Sequence, residues 1–204
     1  MSEGLVVHHF GDQLGQDGKE GRVFETRVKK RFRATVLNHP VDVKRGTRLA
    51  VKTFRSSKSS NRILREANFQ QCAAAIGVAP FVVGVHTQEK YIVMQRCDAR
   101  LVDVYEQVPD AFQYIICAYM ARLDAQKILH NDGNCLNVML IDDTPVLIDY
   151  GFSKKLKRGR TNMRITLWAM VRSFEHRGMR VPIMKACVEA SDVSEYVSTG
   201  ESYL

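Results

Sequence analysis

Residues 130–151 constrain this chain more than any other stretch. They run His130-Asn131-Asp132-Gly133-Asn134-Cys135-Leu136-Asn137, then Val138-Met139-Leu140-Ile141, then Asp142-Asp143-Thr144-Pro145, then Val146-Leu147-Ile148-Asp149-Tyr150-Gly151. Two apolar runs, 138–141 and 146–148, flank a Pro-containing turn and predict a short, rigid hairpin. Asn137 enters the hairpin and Asp149 leaves it, so both side chains can point at one spot. A carboxylate and an amide oxygen held together suit Mg²⁺, a hard cation that takes oxygen ligands and substrate phosphates. Asp132, five positions before Asn137, lies on the preceding loop, where it can orient an incoming hydroxyl. Asp, Asn and Gly are also ordinary turn formers, and the fixed offsets of three polar groups around one hairpin weigh against that plainer explanation.

At 204 residues the chain suits one domain or two small lobes, and its 45% hydrophobic content is enough for a core. The five cysteines are scattered without a C-x-x-C pair, which predicts neither a zinc site nor a disulfide framework. The expected setting is intracellular and cytoplasmic, with the nucleus left open. There is no basic-then-apolar leader and no apolar run of about 18 residues, so no membrane partner is expected. The net charge of +8 concentrates at residues 27–33 (RVKKRFR) and 154–160 (KKLKRGR). Such a balance favours anionic partners, with a solvated basic face as the alternative. The second cluster follows Asp149 closely, where a substrate would approach.

Upstream, residues 5–10 (LVVHHF) predict a strand, and glycines at 15, 18 and 21 predict a flexible turn feeding a second strand over 22–28. Glycine lets backbone N–H groups approach phosphate oxygens closely; a plain hairpin turn is the alternative. Asn38-His39-Pro40 and Lys44-Arg45-Gly46 mark turns around a further strand. Residues 48–54 (RLAVKTF) read as a strand with alternating faces that carries Lys52. A Ser- and Lys-rich loop at 56–61 leads into a helix over 62–76, capped by Ser60 or Asn61. Glu66 lies mid-helix on the Ile63–Gln70 side, where it can pair with Lys52; Arg62, Arg65 or solvent are the alternatives. Residues 81–85 and 90–94 form another hairpin, which Gln95-Arg96-Cys97-Asp98 leaves. Pro109 and Asp110 start the clearest helix, over 109–127, with Phe112, Ile115, Ile116, Tyr119, Met120 and Leu123 as its apolar stripe. Helical stretches follow at 163–174, with Ile165, Leu167, Trp168, Met170 and Val171 on an apolar face, and at 182–198.

The pair His130-Asn131-Asp132…Asn137 and Asp149-Tyr150-Gly151 resembles the protein-kinase catalytic segment, H-R-D-x-x-x-x-N followed by D-F-G. Gly18-Lys19-Glu20-Gly21-Arg22-Val23 matches the second half of the glycine-rich loop G-x-G-x-x-G-x-V, with Gln16 at its first glycine. Leu49-Ala50-Val51-Lys52 is similar to the V-A-I-K strand. The ordered parts resemble a minimal protein kinase-like domain of the small atypical type: the RIO group, the kinase subunit of the KEOPS tRNA-modification complex, and compact kinases of large DNA viruses. The segment LHNDGNCLNVML…VLIDYGFS is especially like the KEOPS-kinase pattern.

That resemblance implies an α+β, bilobal protein kinase-like fold, with a small β-rich N-lobe over 1–97 and a truncated helical C-lobe over 98–204. It implies ATP and Mg²⁺ as cofactors. Gly18 and Gly21 would cover the phosphates, with Val23 beside them at the nucleotide. Lys52 would contact the α/β-phosphates, positioned by Glu66. Met94 would lie behind the adenine, and backbone groups of Gln95 and Cys97 would hydrogen-bond it. Asn137 and Asp149 would hold Mg²⁺, and Asp132 would orient the attacking hydroxyl or accept its proton.

Departures from the kinase pattern shape the expected function. Asn131 replaces the arginine that would pair with a phosphorylated activation loop, which implies constitutive or partner-gated activity. Asn134 stands where Ser/Thr kinases often have lysine, Gln70 occupies a position usually apolar in kinases, and A-P-E is absent. Thr166 falls near the place of the helix aspartate that anchors the catalytic loop. The leading expectation is an ATP- and Mg-dependent atypical serine/threonine protein kinase. Its protein substrate is acidic or part of a complex, and nucleic acid contact through the basic patches is not required. The alternatives are a partner-dependent ATPase switch and a pseudokinase binding module that uses residues 154–160. A small-molecule kinase of the aminoglycoside type usually needs a larger helical substrate lobe than this chain has room for.

Overall fold

Alternating apolar residues at Leu49, Val51 and neighbouring strands draw the first half of the chain into a sheet. The computed structural model describes residues 2–15 and 21–200 and is of the mixed α+β class. It divides into two units, Met1–Cys97 and Asp98–Leu204.

In the first unit the strands are β1 (Ser2–Gly4), β2 (Gly21–Arg27), β3 (Phe32–Val36), β4 (His39–Val43), β5 (Arg48–Phe54), β6 (Val82–His86) and β7 (Tyr91–Gln95), with helix α1 (Ser60–Ala74) between β5 and β6. Five of these strands form a sheet in the order β1-β6-β7-β5-β2, and β3 pairs with β4. Leu49, Val51, Ile63, Ala67, Val82, Ile92 and Val93 are fully buried in the core of this unit, where α1 covers the sheet. The register sets Lys52 between Val23 of β2 and Ile92 of β7.

Several local expectations shift. Residues 5–10 are not a strand; the strand is Ser2–Gly4. Gly4, at φ 88°, turns the chain, and residues beyond it are held by cross-links: Leu5 N–H to Val83 O at 2.8 Å and Val7 N–H to the Tyr91 hydroxyl at 3.3 Å. The β3–β4 turn is Leu37-Asn38, both at positive φ, and Pro40 lies within β4. The N-cap of α1 is Ser59, one residue before Ser60 and two before Asn61, and the Ser60 hydroxyl is engaged instead with Thr87 O at 3.2 Å.

The second unit comprises β8 (Ala99–Arg100), α2 (Leu101–Val104), α3 (Asp110–Ala125), β9 (Ile128–Leu129), β10 (Val138–Ile141), β11 (Thr144–Leu147), β12 (Lys154–Lys155), α4 (Trp168–His176) and α5 (Pro182–Gly200). A single π-helical turn, Met163–Leu167, runs directly into α4. Ile116, Met120, Leu123, Leu147, Leu167, Met170, Phe174 and Met184 are fully buried here. Gln113, polar on the apolar stripe of α3, is buried because its amide oxygen accepts from Ile183 N–H at 3.0 Å, capping the start of α5. Phe112 and Ile115 of that predicted stripe are only partly covered, and Cys117 is buried in their stead. Trp168, expected on the apolar face of 163–174, is 54% exposed. The π turn adds a residue to one helical turn and so rotates every later side chain relative to a plain α-helix.

All five cysteines are free thiols. Among the described residues, no helix is long and apolar enough to cross a membrane.

Candidate functional site

In the first unit, the centre is Glu66. It is the seventh residue of α1, on the face that meets the sheet, and it is 2% exposed. Lys52 Nζ lies 2.7 Å from Glu66 Oε1, so the ion pair expected from the sequence is formed. Lys58 Nζ lies 2.6 Å from Glu66 Oε2, a partner that sequence reasoning missed. Burial forces this geometry, since a carboxylate removed from water requires charged or hydrogen-bonding partners. The Phe54 ring sits under both ammonium groups, 4.4 Å from Lys58 Nζ and 5.5 Å from Lys52 Nζ.

Gly21 opens β2 so close to β5 that a Cβ would stand 1.8 Å from Thr53 O. Only glycine permits that approach. Val23 pairs directly with Lys52. Gly18 lies outside the described residues. Met94 is buried, and its sulfur accepts from the Gln70 amide at 3.4 Å. The same amide donates to Pro80 O at 3.0 Å, which accounts for a polar residue at an otherwise apolar position. Gln95 N–H donates to Phe81 O at 2.9 Å, so at Gln95 only the carbonyl side is left for the adenine contact expected of it. Cys97 ends this unit and is half-buried. Of the basic cluster at 27–33, Arg31 and Arg33 both bond Asp42, holding its carboxyl well below the usual range, at about 2.

In the second unit, the predicted hairpin is β10–β11. Its turn is two residues long, Asp142-Asp143, both at positive φ, as right-twisted strands require. Thr144 and Pro145, expected in the turn, belong to β11. Pro145 is tolerated because β11 is the edge of its sheet. The Tyr119 hydroxyl donates to Pro145 O at 2.8 Å, fastening the hairpin to α3. At the open end, Ile148 N–H donates to Asn137 O at 3.0 Å, which sets the chain entering the hairpin beside the chain leaving it. Asp149 follows at once, at φ 63° and ψ 74°, and its carboxylate accepts from Gly151 N–H at 3.4 Å. A left-handed backbone at a non-glycine residue costs about 1–3 kcal/mol and persists only where the surroundings impose it.

Asn137 is 8% exposed, and its Nδ2 is buried without a hydrogen-bond partner among the described residues. A buried amide ordinarily has one. Asn134 Oδ1 accepts from Leu136 N–H at 3.0 Å, and Asp132 accepts from Asn134 N–H at 3.3 Å, shaping the loop that carries Asp132.

That loop is suspended from a buried polar network. Asn162 Oδ1 accepts from His130 N–H at 2.9 Å and from the Thr166 hydroxyl at 2.9 Å. Thr166 Oγ1 in turn accepts from Asn131 N–H at 3.2 Å. The anchoring place that the sequence assigned to Thr166 is therefore shared with Asn162. Asn162 is held by Asp124, whose carboxylate accepts from both Asn162 N–H and Nδ2 at 2.6–3.1 Å. Burial raises the Asp124 carboxyl above its ordinary value, against the lowering effect of those hydrogen bonds. His130 is fully buried, bonds Ile148 O at 3.0 Å and stacks edge-on against Tyr150 at 4.7 Å. Burial holds its imidazole below 6.5 and pushes the Tyr150 phenol upward.

Asp124 and Asn162 were not singled out from the sequence. One signal was available: an aspartate in the last turn of a helix opposes the helix dipole and so calls for a specific partner. Asn162, in an unpatterned basic stretch, gave none.

Among the described residues, no group of three or more His, Cys, Asp or Glu could hold a metal ion. The donors at the hairpin mouth are instead one carboxylate and one amide. That set fits Mg²⁺, which is bound through one or two carboxylates with waters and phosphate oxygens completing its shell. Its ligand at Asn137 would be the amide oxygen; the unpartnered atom there is the nitrogen, a donor that a phosphate or water oxygen would satisfy and a cation would not. No family model matches the chain, and no curated protein matches it.

Proposed function

We propose that the chain is a minimal, bilobal protein kinase-like phosphotransferase that moves the γ-phosphate of ATP to a serine or threonine hydroxyl of a protein. The observation that carries this reading is the hairpin mouth. The chain entering the hairpin at Asn137 is hydrogen bonded there to Ile148, the residue before Asp149, and Asp149 takes a left-handed conformation. The Lys52–Glu66 pair in the first unit supports it independently.

Asn137 and Asp149 would hold Mg²⁺, which when bound neutralises phosphate charge. Lys52 would bind the α/β-phosphates, with its ammonium oriented by Glu66. Asp132 would accept a hydrogen bond from the acceptor hydroxyl and take its proton as phosphoryl transfer proceeds. Catalysis of this kind is mostly positioning and electrostatic stabilisation.

The test is ADP release and label transfer from radiolabelled ATP, wild type against Asp132→Asn, with an acidic and a basic protein acceptor. Transfer that falls by about 10²–10³ in the variant is the expected result. ADP release without transfer redirects the reading to a partner-dependent ATPase. Mg-ATP binding with neither signal redirects it to a pseudokinase.

A further inference from the structure

Glu66 is held from two sides, and only one of its lysines belongs to the phosphate site proposed above. Lys58 comes from the loop between β5 and α1. Its side chain is 8% exposed, and its Nζ takes Glu66 Oε2 while Lys52 takes Oε1. The loop itself is pinned. Lys58 N–H donates to Arg55 O at 3.0 Å, Lys90 Nζ donates to Lys58 O at 2.8 Å and also to Ser56 O, and Ser60 Oγ donates to Thr87 O. The Lys58 ammonium is therefore aimed by its backbone, and the Phe54 ring closes the space beneath it.

A carboxylate with a single lysine partner can rotate about its terminal torsion, which is broad and weakly restrained. A carboxylate bridged by two ammonium groups at 2.7 and 2.6 Å cannot do so without losing one of them. In a site this buried, such a loss is costly. We propose that Lys58 is a positioning residue for Lys52: it fixes Glu66 so that the Lys52–Glu66 pair stays assembled before nucleotide binds. No outside event is then needed to order the pair. The inference rests on the phosphotransferase reading for what Lys52 does.

The experiment measures ADP release against Mg-ATP concentration, with calorimetric Mg-ATP affinity on the same proteins. The set is wild type, Lys58→Met, Lys58→Arg, Glu66→Gln, and Lys58→Met combined with Glu66→Gln. Lys52 would touch phosphate in ground and transition states alike, so its misplacement acts mainly on KM. Lys58→Met is expected to raise KM and the dissociation constant about tenfold with a smaller loss of kcat, and Lys58→Arg to recover most of this. In the Glu66→Gln background, Lys58→Met should add less than about twofold, because the shared carboxylate is gone. Equal loss in both backgrounds, or unchanged KM and affinity in Lys58→Met, overturns the proposal. If Lys58→Met does not fold, Lys58→Gln carries the same comparison. Wild type that neither releases ADP nor binds Mg-ATP defeats the phosphotransferase reading itself, an outcome distinct from a wild type that is active and indifferent to Lys58.

Discussion

Tyr150 carries a hydroxyl that its surroundings do not use: the side chain is 1% exposed, and its oxygen has no hydrogen-bond partner among the described residues. A buried polar group left unsatisfied costs about 1–3 kcal/mol. Tyr150→Phe removes that oxygen and keeps the ring against His130. It should raise the melting temperature, by about 2–4 °C for each kcal/mol recovered, read by thermal unfolding. A fall would show that the hydroxyl has a partner in solution. Lys52 is a different case. Replacing it with Met leaves Glu66 bonded to Lys58, so the unit should stay folded, with a melting temperature within a few degrees of wild type. ATP turnover at ATP concentrations below KM should nevertheless fall by about 10²–10³, chiefly through a raised KM. Unchanged turnover would remove Lys52 from the site.

At the scale of elements, the loop before β10 depends on how tightly it lies against the π turn and α4. A Cβ at Gly133 would stand 2.3 Å from Thr166 O, 2.6 Å from Ala169 Cβ and 2.7 Å from Met170 N. Two of these neighbours are backbone atoms, which have little room to give. Gly133→Ala should cost about 1–3 kcal/mol by chemical denaturation and lower ATP turnover beyond what the stability loss explains, because Asp132 moves with its neighbour. Wild-type turnover in a folded variant would separate the loop's position from function. The helix α3 was legible from its 3.6-residue period, and both hairpins and the Lys52 strand from short apolar runs bounded by turn residues. The π turn was not, because it interrupts the period on which helix prediction depends, and Trp168 was misplaced for that reason.

For the whole chain, His130 and Asp124 set opposing pH dependences. The His130 value is lowered in the fold by burial, so its contribution is fully present above its unfolded value near 6.5 and is lost as pH falls through the folded value. The Asp124 value is raised by burial, so its contribution is present below 3.8 and is lost as pH rises through the folded value. Acidification from neutrality should therefore destabilise the protein from about pH 6.5 downward through His130. Melting temperatures at pH 7.5 and 5.5 should fall further in wild type than in His130→Gln, with Asp124 common to both. Equal slopes would clear His130 of the effect.

The sequence by itself determined the mixed α+β class, the hairpin with Asn137 and Asp149 at its two ends, and the placement of Lys52 on a strand and Glu66 on a helix. These follow from local periodicity, turn chemistry and offsets along the chain, which need no knowledge of what packs where. Tertiary structure alone decided that Glu66 has two lysines, that Gln70 and Gln113 are buried with partners, and that Asp124, Asn162 and Thr166 together suspend the Asp132 loop. Those residues are far apart in sequence and meet only when burial excludes water. Their polar groups must then find one another, because nothing else in the interior can satisfy them.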